Sequence, residues 1–464
     1  MKHFLSILFQ IALTASCLAD AVPGGMLIDR VWSGHPVGFD ILTERGHQFI
    51  AYFDSERRLT VKGRSLGDAD WTSVHPEGTE VVRRNRMSNM TGWDSHNYLT
   101  MALDRDGCLH LSGNMHADPL VYYRTSRPFD LTTLERIDRM TGERETSATY
   151  PRFLTNDTGD LVFGYRDGGS GNGSDLYNIY DPKTRAWRSL FDGPLLDGEG
   201  KRSAYSLGPQ RGPDGRFHLL WMWRDTPDAM TNHTLSYARS KDLIHWETSS
   251  GKPLTRPITM ANAEVIDPAK PGEGLINVVQ TLGFDHEKRP MAFYHRFDSE
   301  GKSQAFVARP DPEGHWIPKQ ISDWNFRMDF SGGGSLNIPM NLGAPVPTDD
   351  GSLLASFSTN LAGSGRWRID GKSLALLETL PPAKSVLPEG LGKPVGTFPG
   401  LAVRTRVSQS GKDRWVLRWE TLGANRDLEY SEAPPPSELR LYQLPVGGMK
   451  QDSYPVKQIQ IQPD

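Results

Sequence analysis

Cysteine is almost missing: only Cys17 and Cys108 occur in 464 residues, which excludes both a disulfide framework and a cysteine-built zinc site. After the N-terminal segment there is no run approaching the roughly 20 apolar residues that a membrane-crossing helix needs. Basic runs are absent too. The net charge is −4, with acidic and basic residues interspersed, which argues against a nucleic-acid or anionic-membrane partner. Only 37% of residues are hydrophobic, whereas Gly (46) and Pro (33) are plentiful. That balance suits many short strands and turns better than packed helices.

The one apolar stretch, from Phe4 to Leu13, follows Lys2 and His3 and precedes the small residues Ala15, Ser16, Ala19 and Ala21. This layout is that of a secretory signal peptide over 1–19, with cleavage after Ala19 and a secreted or periplasmic product. Lipid anchoring at Cys17 is the lesser alternative, because Thr14 stands where such signals carry an aliphatic residue.

Self-similarity organises the rest. One unit, a strand, an Asp/Gly-type turn and a strongly apolar second strand, recurs seven times. Its turn-plus-strand segments are ERGHQFIAYFD, RDGCLHLSGNMH, DTGDLVFGYRD, PDGRFHLLWMWRD, HEKRPMAFYHRFD, DDGSLLASFSTN and QSGKDRWVLRWET. Taking Gly46, Gly107, Gly159, Gly215, Lys288, Gly351 and Gly411 as equivalent, the repeats are 52 to 73 residues long by subtraction. That length suits four strands of roughly 5–6 residues plus loops. Trp71, Trp187, Trp246 and Trp316 mark fourth strands. The expected fold is all-β: a single seven-bladed β-propeller of four-stranded antiparallel blades over 20–447, closed by N-terminal residues and followed by a polar tail over 448–464.

Blade geometry converts these offsets into a site, since the loop entering the first strand and the loop after the second emerge on one face. His96, Tyr150 and Tyr205 precede or open first strands, while His116, Arg166, Arg224 and Arg296 end second strands. These seven side chains should ring one mouth of the channel. Two further motifs read as structural. Ser240, Asp242 and Trp246 belong to an Asp-box-like hairpin, and the glycine-rich run Asp329–Asn337 lacks the Lys and helix of a phosphate cradle, so a close backbone approach explains it better.

His, Tyr and Arg dominate this mouth rather than the paired carboxylates of a glycosidase; Asp94, Asp118 and Asp225 lie near the same loops without forming an obvious pair. The set suits β-elimination of a uronate. An Arg neutralises the carboxylate, one His or Tyr removes the adjacent proton and another protonates the departing oxygen. No redox cofactor is needed.

The segments SHNYLTMALDRDGCLHLSGNMH (two His 20 residues apart), TYPRFL with VFGYRDGGSGNG (Tyr150 and Arg166 16 apart) and WMWRDTPDAMTNHTLSYARS carry a family likeness. The chain resembles BNR-type seven-bladed propellers, and looks like the polysaccharide lyases of rhamnose–glucuronate linkages, a group that includes ulvan lyases and rhamnose-α-1,4-glucuronate lyases. The resemblance implies His116 or His96 as base, Tyr150 as acid or proton relay, Arg166 and Arg224 as carboxylate binders, and Tyr205 and Arg296 as further substrate-binding residues. It also implies a uronate-containing polysaccharide or oligosaccharide as substrate. Related propellers acting as α-L-rhamnosidases through a single histidine make His35 the alternative catalytic residue. Such propellers also hold a structural cation, often calcium, to which Asn232 and His233 would contribute. The spacing from His116 to Tyr150 is shorter than in some ulvan lyases, which points away from a sulfated algal substrate. The expectation is a secreted, monomeric lyase; a rhamnosidase or sialidase-like hydrolase and a non-catalytic glycan-binding propeller are the rival readings.

Overall fold

Strong apolar strands in this chain are buried on both faces, which requires sheets stacked against sheets. Phe217–Arg224 (FHLLWMWR) is buried at every position, and Pro290–Phe297 at all but one. By contrast Leu376–Leu380, an outermost strand, is exposed at its first four positions. The computed structural model describes residues 24–383 and 388–445. The leader expected over 1–19, with Cys17, and the tail expected over 448–464 lie outside the described residues.

Among the described residues the strands form seven antiparallel sheets of four to six strands and one two-stranded ribbon, Glu80–Val81 with Arg86–Met87. Each of the seven apolar segments read from the sequence is the second strand of its own sheet: His47–Phe53, Leu109–Gly113, Leu161–Asp167, Phe217–Arg224, Pro290–Phe297, Ser352–Thr359 and Asp413–Thr421. The seven equivalent turn positions share one backbone state. Six are glycines with φ between 58° and 91°, and Lys288 adopts φ 62° in the same place. Left-handed φ at this position closes the hairpin and explains the glycine preference. Trp187, Trp246 and Trp316 sit on fourth strands and are buried. The Asp-box-like hairpin is also as read: Asp242 accepts from the backbone N–H groups of Ile244 and His245, and Trp246 Nε1 donates to Leu243 O.

The last sheet is completed from the other end of the chain, with Met26–Val31 pairing Ser437–Pro445. First strands of successive sheets are tied by buried polar groups. Asp40, on Asp40–Glu44 of the first repeat, accepts from Met101 N on Leu99–Leu103 of the next sheet and from Arg406 Nε on Ala402–Ser410 of the last. Tyr98 donates to Pro151 O, and Gln280 Nε2 to Tyr205 O. These ties fix where each first strand begins, and the site is built from those beginnings.

One sequence expectation is corrected. His116 does not end the second strand of its sheet, which stops at Gly113; it lies on a separate short strand, His116–Asp118, paired with Ala148–Thr155 of the following sheet. The chain is turned by Asn114 (φ 61°) and Ala117 (φ 51°). At Gly113 a Cβ would stand 2.3 Å from Tyr98 O, so only glycine fits the start of this crossing.

Asp40→Asn keeps the acceptor for Met101 N but strips Arg406 of its counter-charge. The expected loss is about 3 kcal/mol of stability, read as a lower denaturant midpoint with unchanged slope; an unchanged midpoint would contradict this account of the inter-sheet tie.

Candidate active site

The local sequence Asp94-Ser95-His96 creates the centre of the site. Asp94 caps the short 3₁₀ turn Ser95–Asn97, its Oδ1 accepting from His96 N at 2.9 Å and from His96 Nδ1 at 2.6 Å. The other oxygen, Oδ2, accepts from His116 Nδ1 at 2.7 Å. The two imidazoles stack face to face, with centroids 3.7 Å apart and planes 14° from parallel. His96 is fully buried, whereas the His116 side chain keeps 23% of its surface open. With Nδ1–H engaged by Asp94, His116 presents Nε2 as the free basic nitrogen.

His116 is also held through its backbone. Arg83 and Arg84 both donate to His116 O, and together with Arg86 they surround the fully buried carboxylate of Asp118. On the far side, Ser335 donates from N and Oγ to Asp427 Oδ1, and Ser95 Oγ donates to Ser335 Oγ. Ser335 belongs to the glycine-rich run, which approaches neighbouring backbone closely as expected: Gly332 N donates to Asp228 Oδ1, and a Cβ on Gly334 would meet Arg426 O at 2.6 Å.

The electrostatics are asymmetric. Burial would raise the Asp94 pKa, yet the two imidazoles hold it well below the usual carboxylate value. Burial favours neutral His96, but Asp94 and then Asp427 raise its pKa above normal. For His116, burial and the neighbouring His96 win over Asp94 and push the pKa below 6.5. The pair therefore favours a proton on His96 and a neutral, partly open His116.

Tyr150, Tyr205, Arg166 and Arg224 form the adjoining wall. Tyr150 takes a left-handed backbone (φ 57°) within the register shift between Thr149 and Arg152, which turns its ring to 5.6 Å from His96 and 6.1 Å from Tyr205. Arg166 lies over the Tyr150 ring at 4.7 Å and donates to Tyr205 OH and Thr149 Oγ1. Arg224 stacks on Tyr205 at 3.9 Å and donates to the amide oxygens of Asn232 and Asn277. Neither guanidinium has a carboxylate within ion-pair distance among the described residues. Burial would raise the Tyr205 pKa, but Arg224 and then Arg166 draw it down to about 8. Ser170 Oγ shares a hydrogen bond with Tyr205 OH. Tyr150, Tyr205 and Asn277 line a narrow cavity here.

Two expected members take no part in these hydrogen bonds. Arg296 is engaged by the buried Asp267, which accepts from its Nη1 at 2.9 and 3.0 Å, and lies over Phe306. His35 is buried, with both ring nitrogens lacking a hydrogen-bond partner; burial first lowers its pKa to about 4, His96 and Arg404 adding to the effect while Asp94 opposes it. Asn232 and His233 do not fit a cation. Asn232 Oδ1 faces the Arg224 guanidinium, and His233 bonds through its ring to Asp225 and Thr234. Among the described residues, Asp94, His96, His116 and Asp427 bring four ligand-type atoms within 4.8 Å of one another. Asp94 and Asp427 were missed as members of the site by sequence reasoning. An Asp two residues before a His is a capping signal that points to the first, but nothing local marks Asp427.

The profile of the BNR repeat-containing family matches residues 47–324. The chain belongs to that family. Two curated relatives are similar over part of their length. One is the short isoform of ulvan lyase from Alteromonas sp. (strain LOR), 26% identical over 140 residues, 28% of this chain and 26% of the relative. The other is the long isoform of ulvan lyase from Pseudoalteromonas sp. (strain PLSV), 26% identical over 205 residues, 40% of this chain and 20% of the relative. The chain thus spans about a quarter or less of the curated relatives it matches. Among solved structures, an ulvan lyase from a new family of polysaccharide lyases superposes with a TM-score of 0.59 at 14% identity, covering 90% of this chain and 95% of that one. The polysaccharide lyase Uly1 superposes with a TM-score of 0.58 at 13% identity, covering 92% and 94%. These likenesses show a shared fold.

Asp94 contributes stability that is present above the usual carboxylate pKa and lost as pH falls below it. Asp94→Asn, which cannot ionise, is expected to flatten the decline of the melting midpoint between about pH 5 and pH 2; parallel declines in variant and parent would refute the assignment.

Proposed function

We propose that this protein is a secreted polysaccharide lyase that cleaves rhamnose–glucuronate linkages by β-elimination, on a seven-bladed propeller whose blades are the seven sheets. Support for the propeller comes from the chain-order contacts between first strands, the Asp40–Arg406 tie from last sheet to first, and the shared backbone state at seven equivalent turns. The solved ulvan lyase bound to a glucuronate–rhamnose 3-sulfate unit belongs to the same fold group and supports the choice of ligand.

One observation carries the chemistry: a neutral, partly open imidazole, oriented by a buried carboxylate, stands beside two guanidiniums without acidic partners. The proton to be removed lies on C5 of the uronate, next to its carboxylate, and is very weakly acidic while that group is fully charged. Arg166 and Arg224 neutralise the carboxylate and stabilise the charge that builds on it as the proton leaves. His116 Nε2 takes the proton; the C5–H electrons become the C4=C5 double bond and the C4–O bond breaks. Tyr205, made more acidic by its two Arg neighbours, supplies the proton to the departing oxygen, with Tyr150 closing the wall between Arg166 and His96. His96 acts through position and charge, because it is buried and holds its proton. No step calls for a cofactor.

Incubation with a rhamnosyl-glucuronate glycan should generate the ultraviolet absorbance of an unsaturated uronate. His116→Ala is expected to reduce that rate by about 10²–10⁴-fold, and Asp94→Asn by a similar factor through loss of the base's orientation. Release of free rhamnose without the absorbance would move the assignment to hydrolysis, and no turnover at all would leave a binding protein.

The pH profile follows from the two shifts. Activity should rise with pH as His116 loses its proton below 6.5, then fall as Tyr205 ionises near 8. In Tyr205→Phe the alkaline limb should vanish from kcat along with most of the rate; an alkaline limb that persists unchanged would remove Tyr205 from the acid role.

A further inference from the structure

Arg404 is a cation that the chemistry above leaves unused. It sits on Ala402–Ser410, the first strand of the last sheet, and its side chain makes no hydrogen bond or ion pair among the described residues, its Nε being fully enclosed. Burial lowers its pKa with no carboxylate to oppose the shift. The contrast with its neighbour is informative. Arg406, two residues on, points to the same side of the strand and is neutralised by Asp40. Both line a cavity of about 70 Å³ with Gly38, Phe39, Val403, Thr405 and Trp419, which is room for a few waters or one small anionic group. The cavity therefore carries one uncompensated positive charge.

Its position relates it to the catalytic histidines. Gly38 O accepts from Leu99 N, three residues after His96, so the cavity lies where the first repeat meets the strand that follows His96. His35, buried and with both ring nitrogens unpartnered, lies close enough to Asp94, His96 and Arg404 to be influenced by all three. Arg166 and Arg224 belong to the third and fourth sheets, whereas Arg404 belongs to the last. Uncompensated guanidiniums thus occur on both flanks of the His pair in the order of the sheets.

The geometry points to a second anion subsite at Arg404, in the cavity it shares with Arg406 and Thr405, taking a carboxylate or sulfate ester on a sugar flanking the cleaved uronate. This rests on the lyase reading for the identity of its ligand. A chain of sugars bearing one acidic group in every repeat would then be held at two points, with the scissile bond between them. Arg404 is half-buried with an enclosed Nε; an unpaired, partly desolvated cation is costly in the free protein, and an anion binding there offsets that cost.

Binding can be separated from turnover in a His116→Ala background. The probes are a rhamnose–glucuronate tetrasaccharide and its rhamnose 3-sulfated counterpart, titrated calorimetrically against the parent and Arg404→Gln. Loss of a charge-assisted contact should weaken binding by about 10- to 100-fold, and the dependence of affinity on salt should become shallower. Weakening of both probes identifies the carboxylate as the ligand group; weakening of the sulfated probe alone identifies the sulfate. Equal affinity of variant and parent for both probes would overturn the subsite, whatever the wild-type protein does. Absence of an unsaturated product from wild type, together with weakened binding in Arg404→Gln, would remove the lyase reading and keep the subsite. The melting midpoint provides the folding control: it should be unchanged or higher in Arg404→Gln, since a half-buried unpaired charge is gone, and a marked fall would show that Arg404 is structural.

Discussion

A single carboxylate, Asp94, organises this site by serving two imidazoles at once. Its two oxygens take one histidine each, so the rings are pulled into a stack whose centroids are only 3.7 Å apart. Two imidazolium ions could not share that spacing in a buried setting, because their repulsion would act with little solvent screening. One proton is therefore favoured over two, and the surroundings decide which ring keeps it. His96 is enclosed between Asp94 and Asp427, whereas His116 has the solvent-facing position and the company of a positive neighbour. Division of labour between two chemically identical side chains follows from which acid stands behind each.

The fold supplies this arrangement by bringing loop ends from distant parts of the chain to one place. His96 enters on the loop before a first strand; His116 arrives after a crossing that leaves its own sheet and pairs with the next. Ser335 and Asp427, both late in the sequence, close the opposite side. Strain is concentrated here as well. Tyr150 and Ala117 hold left-handed backbone conformations without being glycines, so the surrounding hydrogen bonds, such as Ala117 N to Thr149 Oγ1, must fix them.

Much of the architecture was legible because it is written in local chemistry. The turn position of each repeat needs positive φ, glycine supplies it in six of seven cases, and the apolar strand that follows is stacked between two layers. The site residues were legible only so far as they ride on those strands. Tyr150, Tyr205, Arg166 and Arg224 do, His96 lies just before one, and they converge. His116 had been placed at the end of a strand, but Gly113 and Asn114 release the chain earlier than strand periodicity suggests. Arg296 also rides on a second strand, yet Asp267, 29 residues before it, claims its guanidinium. No spacing rule marks that pairing, because Asp267 belongs to an added edge strand rather than to the repeat. Asp427 was invisible for a similar reason: His96 lies more than 300 residues away, and only the fold brings the two within 4.8 Å.

The distribution of charge gives the strongest argument that the site exists to bind something acidic. The chain has more acidic than basic residues, 56 against 52, so it does not lack carboxylates with which to pair a buried arginine. Elsewhere it does so: Arg152 with Asp175, Arg406 with Asp40, Arg418 with Glu420. Arg166, Arg224 and Arg404 depart from that pattern, as does Arg124, whose side chain bonds only to Tyr180 OH and Arg185 O. Neutral groups satisfy part of their hydrogen bonding, through Thr149, Asn232 and Asn277, and this keeps the guanidiniums in place without cancelling their charge. A protein that only needed packing there would be more stable with the acid partners supplied or the cations replaced. Leaving the positive potential uncancelled lowers stability in the free state, and an anionic ligand would offset that cost by bringing the missing negative charge.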